Sequence, residues 1–167
     1  MTRTFVLGDP NSAQLRVGNM IEKAHQAVIK LSRPGTPCNA LQIAADEIFD
    51  AAGLSLIHRI GHGIGMATSF EWPSLDTETR QLETGMTIAL EPGAYIEGAG
   101  SMKLEGSVLI TDDGCEVLSM CSRELKVPVQ KFTISSYLSR LAGGLSQNIC
   151  VDSSLDGLLL AARFRRG

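Results

Sequence analysis

Apolar residues recur at helical spacing in the first part of the chain. After the turn and cap residues 9–12, one apolar stripe continues until the Arg-Pro-Gly stop at residues 33–35. Its members are Val17, Met20, Ile21, Ala24, Val28 and Leu31. This spacing predicts an amphipathic helix. His25 lies on the flank of that helix away from the stripe, so we expect its side chain at the surface.

A second apolar stripe predicts a second helix directly after the first. Thr36 is expected as its N-cap, because the following Pro37 suits the first helical position, and Gly53 closes the pattern. The apolar members are Leu41, Ala45, Ile48, Phe49 and Ala52. The chain therefore begins with a predicted helix pair.

Beyond the helices, the pattern changes to short apolar runs bounded by glycines. Strands are predicted at residues 54–60, 86–90, 104–111 and 116–118, and the polar segment 69–84 is predicted to be a long loop. Two helices followed by strands indicate an α+β fold, with the helices packed on one face of a largely antiparallel, curved sheet.

Composition and charge narrow the range of partners. The chain has 167 residues, 44% of them hydrophobic, which is enough for one domain with its own core. Its net charge of −3 comes from 15 basic and 18 acidic residues that are spread along the chain, so we expect neither nucleic acid nor a membrane as partner. Without a membrane-length apolar run or a signal peptide, and with four scattered cysteines, the protein is expected to be cytoplasmic.

Three residues are candidates for metal chemistry. His62 stands in a glycine-rich pentapeptide at residues 61–65, Glu91 ends one predicted strand, and Glu105 interrupts another. A carboxylate inside a sheet is costly unless a cation accompanies it, and for Glu105 a surface pair with Lys103 is the alternative to a metal. One imidazole and two carboxylates suit Mn, Fe, Co or Zn. A divalent metal site is therefore one prediction, and a surface ion pair the other.

Three motifs in their order and spacing make the sequence resemble the pita-bread metallohydrolases, the family of methionine and Xaa-Pro aminopeptidases and of creatinase. They are residues 58–65 (His-Arg-Ile-Gly-His-Gly-Ile-Gly), residues 82–95 around Glu91-Pro92-Gly93, and residues 104–111 beginning Leu-Glu. The Thr-Arg-Thr-Phe of residues 2–5 is also similar. The resemblance indicates a partial pita-bread catalytic domain at residues 1–130, followed by an unassigned C-terminal tail at residues 131–167.

The resemblance implies a dinuclear site. His62 and Glu91 would hold one metal, Glu105 would bridge both, and a bridging hydroxide would attack a peptide or amide carbonyl. The family adds two aspartates from a preceding hairpin, and the second of them would stand immediately before Met1. We therefore expect a fragment, with Met1 internal to a longer reading frame. It would hold at most one metal, weakly, and show no appreciable Xaa-Pro hydrolysis alone.

Two further residues are candidate catalytic groups by the same resemblance. His58 matches a histidine that lies near the site in Xaa-Pro dipeptidases, although a packing role is equally consistent with it. Ser69 stands where peptidase members carry a histidine that stabilises the tetrahedral intermediate, and a serine can only donate a hydrogen bond there. Because of this departure, two interpretations stay open: an Xaa-Pro dipeptidase, and a non-peptidase enzyme such as a creatinase-like amidinohydrolase or a lyase.

A third alternative is a non-catalytic pita-bread module that serves in binding. The presence of His62, Glu91 and Glu105 together argues against it, because a module without metal chemistry has no need of all three. The expected partner is a small peptide or amide substrate. A homodimer is left open as the assembly.

Overall fold

A computed structural model describes residues 1–6, 8–66, 71–97 and 100–125, together with the backbone of the strand at residues 159–160. Ser69 and nearly all of the predicted C-terminal tail therefore lie outside the described residues. Within the described part, no helix is both long enough and apolar enough to cross a membrane.

The two predicted helices are confirmed. Helix α1 spans Ser12–Leu31 and begins with a capping box, in which the Asn11 side chain accepts from the Gln14 amide (2.8 Å) and the Gln14 side chain accepts from the Asn11 amide (2.9 Å). Helix α2 spans Cys38–Ala51. Its N-cap is the extended Pro37 and not Thr36 as predicted, so this helix starts without a side-chain cap.

The sheet is antiparallel and has five strands in the order β3-β2-β4-β7-β8. Its strands are β2 (Gly61–Gly63), β3 (Glu71–Ser74), β4 (Thr87–Leu90), β7 (Gly106–Ile110) and β8 (Cys115–Val117). Strands β5 (Gly93–Ile96) and β6 (Gly100–Lys103) form a separate hairpin, and β1 (Phe5–Val6) pairs with β9 (Leu159–Leu160). The predicted α+β class, with two helices and a largely antiparallel sheet, is confirmed.

Two apolar clusters join the helices to the strands. The larger cluster lies between the helices and the five-stranded sheet, and its fully buried members include Val28, Leu41, Ile60, Leu75, Ile88, Leu90 and Ile110. The second lies between the helices and the hairpin, and includes Val17, Ile21, Ala24, Phe49, Ala94 and Met102. Burial of this apolar surface fixes both strand systems against the same helix pair.

The structure corrects the prediction for residues 54–60. This run is apolar but does not form a strand. The amide of Ile60 is bonded instead by the side-chain oxygen of Gln42 from α2 (2.6 Å), and the Leu54 amide bonds the Phe49 carbonyl (3.0 Å). These two amides are thus satisfied by α2, while the Ile60 carbonyl accepts from the Glu91 amide (2.7 Å).

The predicted loop at residues 69–84 was also partly wrong, because it contains β3. This strand lies at the sheet edge, where a proline such as Pro73 is tolerated since no ladder bond is lost inside the sheet. The β5–β6 hairpin was not predicted either. It is short and begins with a glycine on each strand, so its apolar alternation is weak.

The surface position predicted for His25 is wrong. Its side chain is 1% exposed, and neither ring nitrogen has a hydrogen-bond partner among the described residues. The flank that the periodicity leaves polar is covered by the start of β7, where a methyl group placed on Gly106 would lie 3.3 Å from His25 Nε2. Burial, with Arg123 and Arg3 nearby, lowers the pKa of His25 to about 4.

Candidate metal centre

His62 is positioned by two neighbouring strands. It pairs with Ala89 of β4 on one side and with Ser74 of β3 on the other. The flanking glycines are required because the neighbouring backbones approach closely. A methyl group on Gly61 would lie 1.9 Å from the Ala89 carbonyl oxygen, and one on Gly63 would lie 2.1 Å from the Trp72 carbonyl oxygen. The glycines predicted to permit close approach thus admit backbone on both sides of His62.

The tautomer of His62 follows from its backbone contact. Nδ1 lies 2.7 Å from the carbonyl oxygen of Gly63. Because a carbonyl oxygen can only accept, Nδ1 donates this bond, and in the neutral ring Nε2 carries the lone pair. Nε2 lies 3.8 Å from Glu91 Oε1. The structure therefore brings two of the predicted ligands together.

Glu91 is a buried carboxylate at the end of β4. The residue is 7% exposed, and its amide donates to the Ile60 carbonyl (2.7 Å), which extends the β2–β4 pairing by one step. A carboxylate with so little water around it requires a cation. Lys103 supplies one, with Nζ 2.5 Å from Glu91 Oε2.

Lys103 was not predicted to contact Glu91. The alternative to a metal site that the sequence left open was a surface pair of Lys103 with Glu105, two residues away. The β5–β6 hairpin directs the Lys103 ammonium to Glu91 instead. Lys103 is opposite Gly93 in the hairpin, and a methyl group on Gly93 would lie 3.3 Å from Lys103 Cγ. Gly93, two residues after Glu91, leaves room for the lysine stem, but this glycine alone does not identify the pairing from the sequence.

Glu105 lies beside Glu91 but has its own partners. In the β4–β7 register, Leu90 is opposite Gly106. Glu91 and Glu105 therefore stand opposite each other, one position beyond this last pair. The carboxylate of Glu105 accepts from the Thr2 hydroxyl and from the amino group of Met1 (3.1 Å). Burial raises the pKa of Glu105, but these hydrogen bonds, the Met1 charge and Lys103 outweigh it, so the net pKa is lowered.

The three predicted ligands are not assembled into one cluster. Among the described residues, no group of three or more His, Cys, Asp and Glu side chains is arranged to hold a metal ion. His62 and Glu91 face each other, whereas Glu105 contacts the first two residues of the chain. The three-ligand assignment stays a prediction.

His58 lies against the β5–β6 hairpin. Its Nδ1 donates to the Arg59 carbonyl (2.9 Å), and its ring meets Tyr95 edge-on with centroids 5.9 Å apart. Nε2 is buried without a hydrogen-bond partner among the described residues, and a methyl group on Gly93 would lie 2.9 Å from it. This nitrogen lies close to the hairpin start, two residues beyond Glu91. Ser69, the other candidate catalytic residue, lies outside the described part.

The facing groups of His62 and Glu91 suit a divalent cation. An imidazole lone pair directed at a carboxylate is unfavourable unless a proton or a cation lies between them. Metal–ligand bonds of about 2.1 Å place neighbouring ligand atoms about 3–3.5 Å apart, and the observed 3.8 Å is slightly wider. The Lys103 ammonium already provides a positive charge at the same carboxylate. His62 and Glu91 thus supply two ligand atoms of the kind that such a metal binds, at a carboxylate that an ammonium already neutralises.

Comparisons with known proteins agree on one family. Residues 1–112 match the model of metallopeptidase family M24. The chain is 35% identical over 128 residues to an Xaa-Pro dipeptidase of Pyrococcus furiosus, an alignment that covers 75% of this chain and 36% of that protein. The chain thus spans about a third of the length of the curated relatives it matches.

Solved structures give the same result. The prolidase from Pyrococcus horikoshii superimposes with a TM-score of 0.71 at 32% identity, over 74% of this chain and 36% of that one. Dipeptidase PepE from Mycobacterium ulcerans superimposes with a TM-score of 0.70 at 30% identity, over 74% and 34%. The chain belongs to metallopeptidase family M24, and its two helices and mostly antiparallel sheet are part of the pita-bread fold.

Proposed function

We propose that the chain supplies one side of the active site of an Xaa-Pro dipeptidase-like metallohydrolase, which cleaves a peptide or amide bond. The observation that carries this proposal is the approach of His62 Nε2 to Glu91 Oε1 at 3.8 Å on adjacent strands. Because the chain spans about a third of its relatives, the activity of the whole protein and its substrate are both part of the proposal.

Each residue has a stated task in this proposal. His62 and Glu91 hold one divalent ion (Mn, Co, Zn or Fe), and the Gly63 carbonyl keeps the His62 ring in the tautomer that ligation needs. When bound, such an ion lowers the pKa of a coordinated water and so provides a nucleophile near neutral pH. Glu105, beside Glu91 in the sheet register, is the candidate bridge to a second ion.

The substrate class comes from the relatives. The matching relatives include proteins named Xaa-Pro dipeptidase, prolidase and dipeptidase, so the proposed substrate is a small peptide, with a proline after the scissile bond. His58 Nε2 is buried beside Gly93, which follows Glu91 by two residues in the chain, and is the proposed hydrogen-bonding group for a substrate or for the departing amine. The non-peptidase alternative depends on the segment around Ser69.

Removal of the Glu91 charge is expected to weaken metal binding by the 167-residue chain. The Glu91→Gln variant keeps the shape of the side chain but loses its anionic ligand, so we expect Mn²⁺ affinity to fall by about tenfold or more. Isothermal titration with Mn²⁺ or Co²⁺ measures the effect. The matched control is Glu116→Gln, which removes an exposed carboxylate on β8 and should leave the affinity unchanged.

Two outcomes would contradict the proposal. Equal Mn²⁺ affinity in Glu91→Gln and in the unchanged chain would place the metal elsewhere, and the same holds for His62→Ala. An absence of metal binding by the unchanged chain would remove the basis for metal-dependent hydrolysis at this site. An assay of Xaa-Pro dipeptide cleavage with added Mn²⁺, run on the same variants, then shows whether any turnover depends on these two residues.

A further inference from the structure

Glu91 already has a cation within the protein. The Lys103 ammonium lies 2.5 Å from Glu91 Oε2, while His62 Nε2 faces the other carboxylate oxygen. The Glu91 side chain is 9% exposed and that of Lys103 is 31% exposed, so water provides little compensation for the carboxylate. Oε2 is therefore occupied by the ammonium, and Oε1 faces the imidazole.

This pair differs from an ordinary surface ion pair. Arg80 and Glu83 also form a bridge, but their side chains are 47% and 57% exposed and lie three residues apart in one loop. Such pairs contribute little, because water screens both charges. Lys103 and Glu91 come from different elements and are mostly removed from water, so each constrains the position of the other.

Several contacts hold Lys103 in this orientation. Its amide bonds the Thr4 hydroxyl (3.0 Å), and that hydroxyl donates to the Lys103 carbonyl (3.0 Å), which fixes the backbone of β6. The side-chain stem passes Gly93 at the opposite position of the hairpin, where a methyl group would lie 3.3 Å from Cγ. The contact with Glu91 is thus built by the hairpin and not by a freely rotating surface lysine.

We propose that Lys103 is an internal counter-ion of Glu91 that competes with the divalent metal for this carboxylate. A metal held by Glu91 places two further positive charges close to the ammonium, and at this low exposure their repulsion is poorly screened. Metal uptake therefore requires the Lys103–Glu91 contact to open, and metal loss allows it to close. The identity of the cation as the hydrolytic metal rests on the proposed function.

The test compares Mn²⁺ titrations of the complete 167-residue chain and three variants. Lys103→Met keeps the aliphatic stem but removes the charge, and we expect it to bind Mn²⁺ about tenfold more tightly than the unchanged chain. Lys103→Arg retains the charge and should bind as the unchanged chain does. Lys23→Met, at an exposed position of α1, is the control for loss of a distant lysine charge and should also leave the affinity unchanged.

A second measurement does not depend on catalysis. In the metal-free protein, the thermal midpoint of Lys103→Met should be lower than that of Lys23→Met, because Glu91 is left buried without its cation. Saturating Mn²⁺ should remove this difference. With nitrogen-15-labelled lysine, the Lys103 ammonium resonance should shift when diamagnetic Zn²⁺ is added, since the contact opens.

The outcomes separate this inference from the proposed function. Equal or weaker Mn²⁺ affinity in Lys103→Met, while the unchanged chain binds metal through Glu91, overturns the competition and leaves the metal site intact. If Lys103→Met binds metal and the unchanged chain does not, the result supports the competition. If neither the unchanged chain nor Lys103→Met binds metal, both the competition and the metal site are wrong.

Discussion

Replacement of Gly61 by alanine is expected to lower the free energy of unfolding by about 3 kcal/mol or more. The added methyl group would lie 1.9 Å from the Ala89 carbonyl oxygen and 3.0 Å from a methyl group of Leu75. The closest obstacle is the backbone of the paired strand, which cannot turn away as a side chain can. Strand β2 would have to separate from β4, and the pairing that brings His62 to Glu91 would be lost.

Urea unfolding of Gly61→Ala measures this effect, and Gly114→Ala is its matched control. Gly114 lies in the turn between β7 and β8, and a methyl group there meets nothing within 4 Å. The control should unfold close to the midpoint of the unchanged chain. Similar midpoints for the two variants would show that the close approach of β2 and β4 does not constrain residue 61. Mn²⁺ affinity should also fall in Gly61→Ala and not in the control.

The second large effect concerns His25 and acid. The pKa of His25 falls from 6.5 to about 4 in the folded protein. At pH values between these two, the unfolded chain therefore binds a proton at His25 that the folded chain does not bind. The stability that neutral, buried His25 allows is therefore fully present above the pKa of the unfolded chain, and it is lost as the pH falls toward the pKa of the folded protein. Between pH 6.5 and 4.5 we expect a loss of about 2 kcal/mol from this residue.

The upper part of this pH range isolates His25 from the carboxylates. The pKa of Glu105 is lowered from the ordinary value of 4.5, so the stability that this carboxylate contributes is lost as the pH falls below 4.5, which is below the range considered for His25. Urea unfolding across pH 6.5 to 4.5 should show a smaller slope in His25→Leu than in the unchanged chain. Gln26→Leu, an exposed neighbour on α1, should keep the slope. An equal slope in all three proteins would assign the acid sensitivity to other groups.

The sequence was most informative where one face of an element is buried. Helix α2 and strand β7 have apolar positions that follow their buried positions, and together with α1, β4 and β8 they lie close to where the pattern predicted them. Residues 54–60 show the opposite case. They are as apolar as a strand, but a glutamine from α2 takes the Ile60 amide, and side-chain hydrogen bonds of that kind leave no periodic signal.

The prediction for His25 failed for a related reason. Periodicity identifies the face of a helix that one neighbour covers. Helix α1 has a second covered face, because the start of β7 packs against its flank. Neither Gly106 nor the strand that it begins reveals this from the sequence. A buried histidine and an exposed one therefore look alike at the same helical position.

The candidate site was partly predictable. Motif order indicated His62 and Glu91, and the β2–β4 register places them on adjacent strands. The position of Lys103 required the β5–β6 hairpin, which the sequence pattern did not indicate, so the lysine was assigned to the nearer glutamate in sequence. Tertiary pairing, and not proximity along the chain, decides which carboxylate a charged side chain meets.

Arg3 links the beginning of the chain to residues 121–122. Its guanidinium donates to the carbonyls of Thr2 and Glu105 and to those of Cys121 and Ser122, the last of which is 119 positions away. The planar group spans both segments at once, and opening either would leave donors or carbonyls unbonded. The amides of the two segments are therefore expected to exchange with solvent deuterium as a single cooperative unit, which native-state exchange of Arg3→Lys should divide into two.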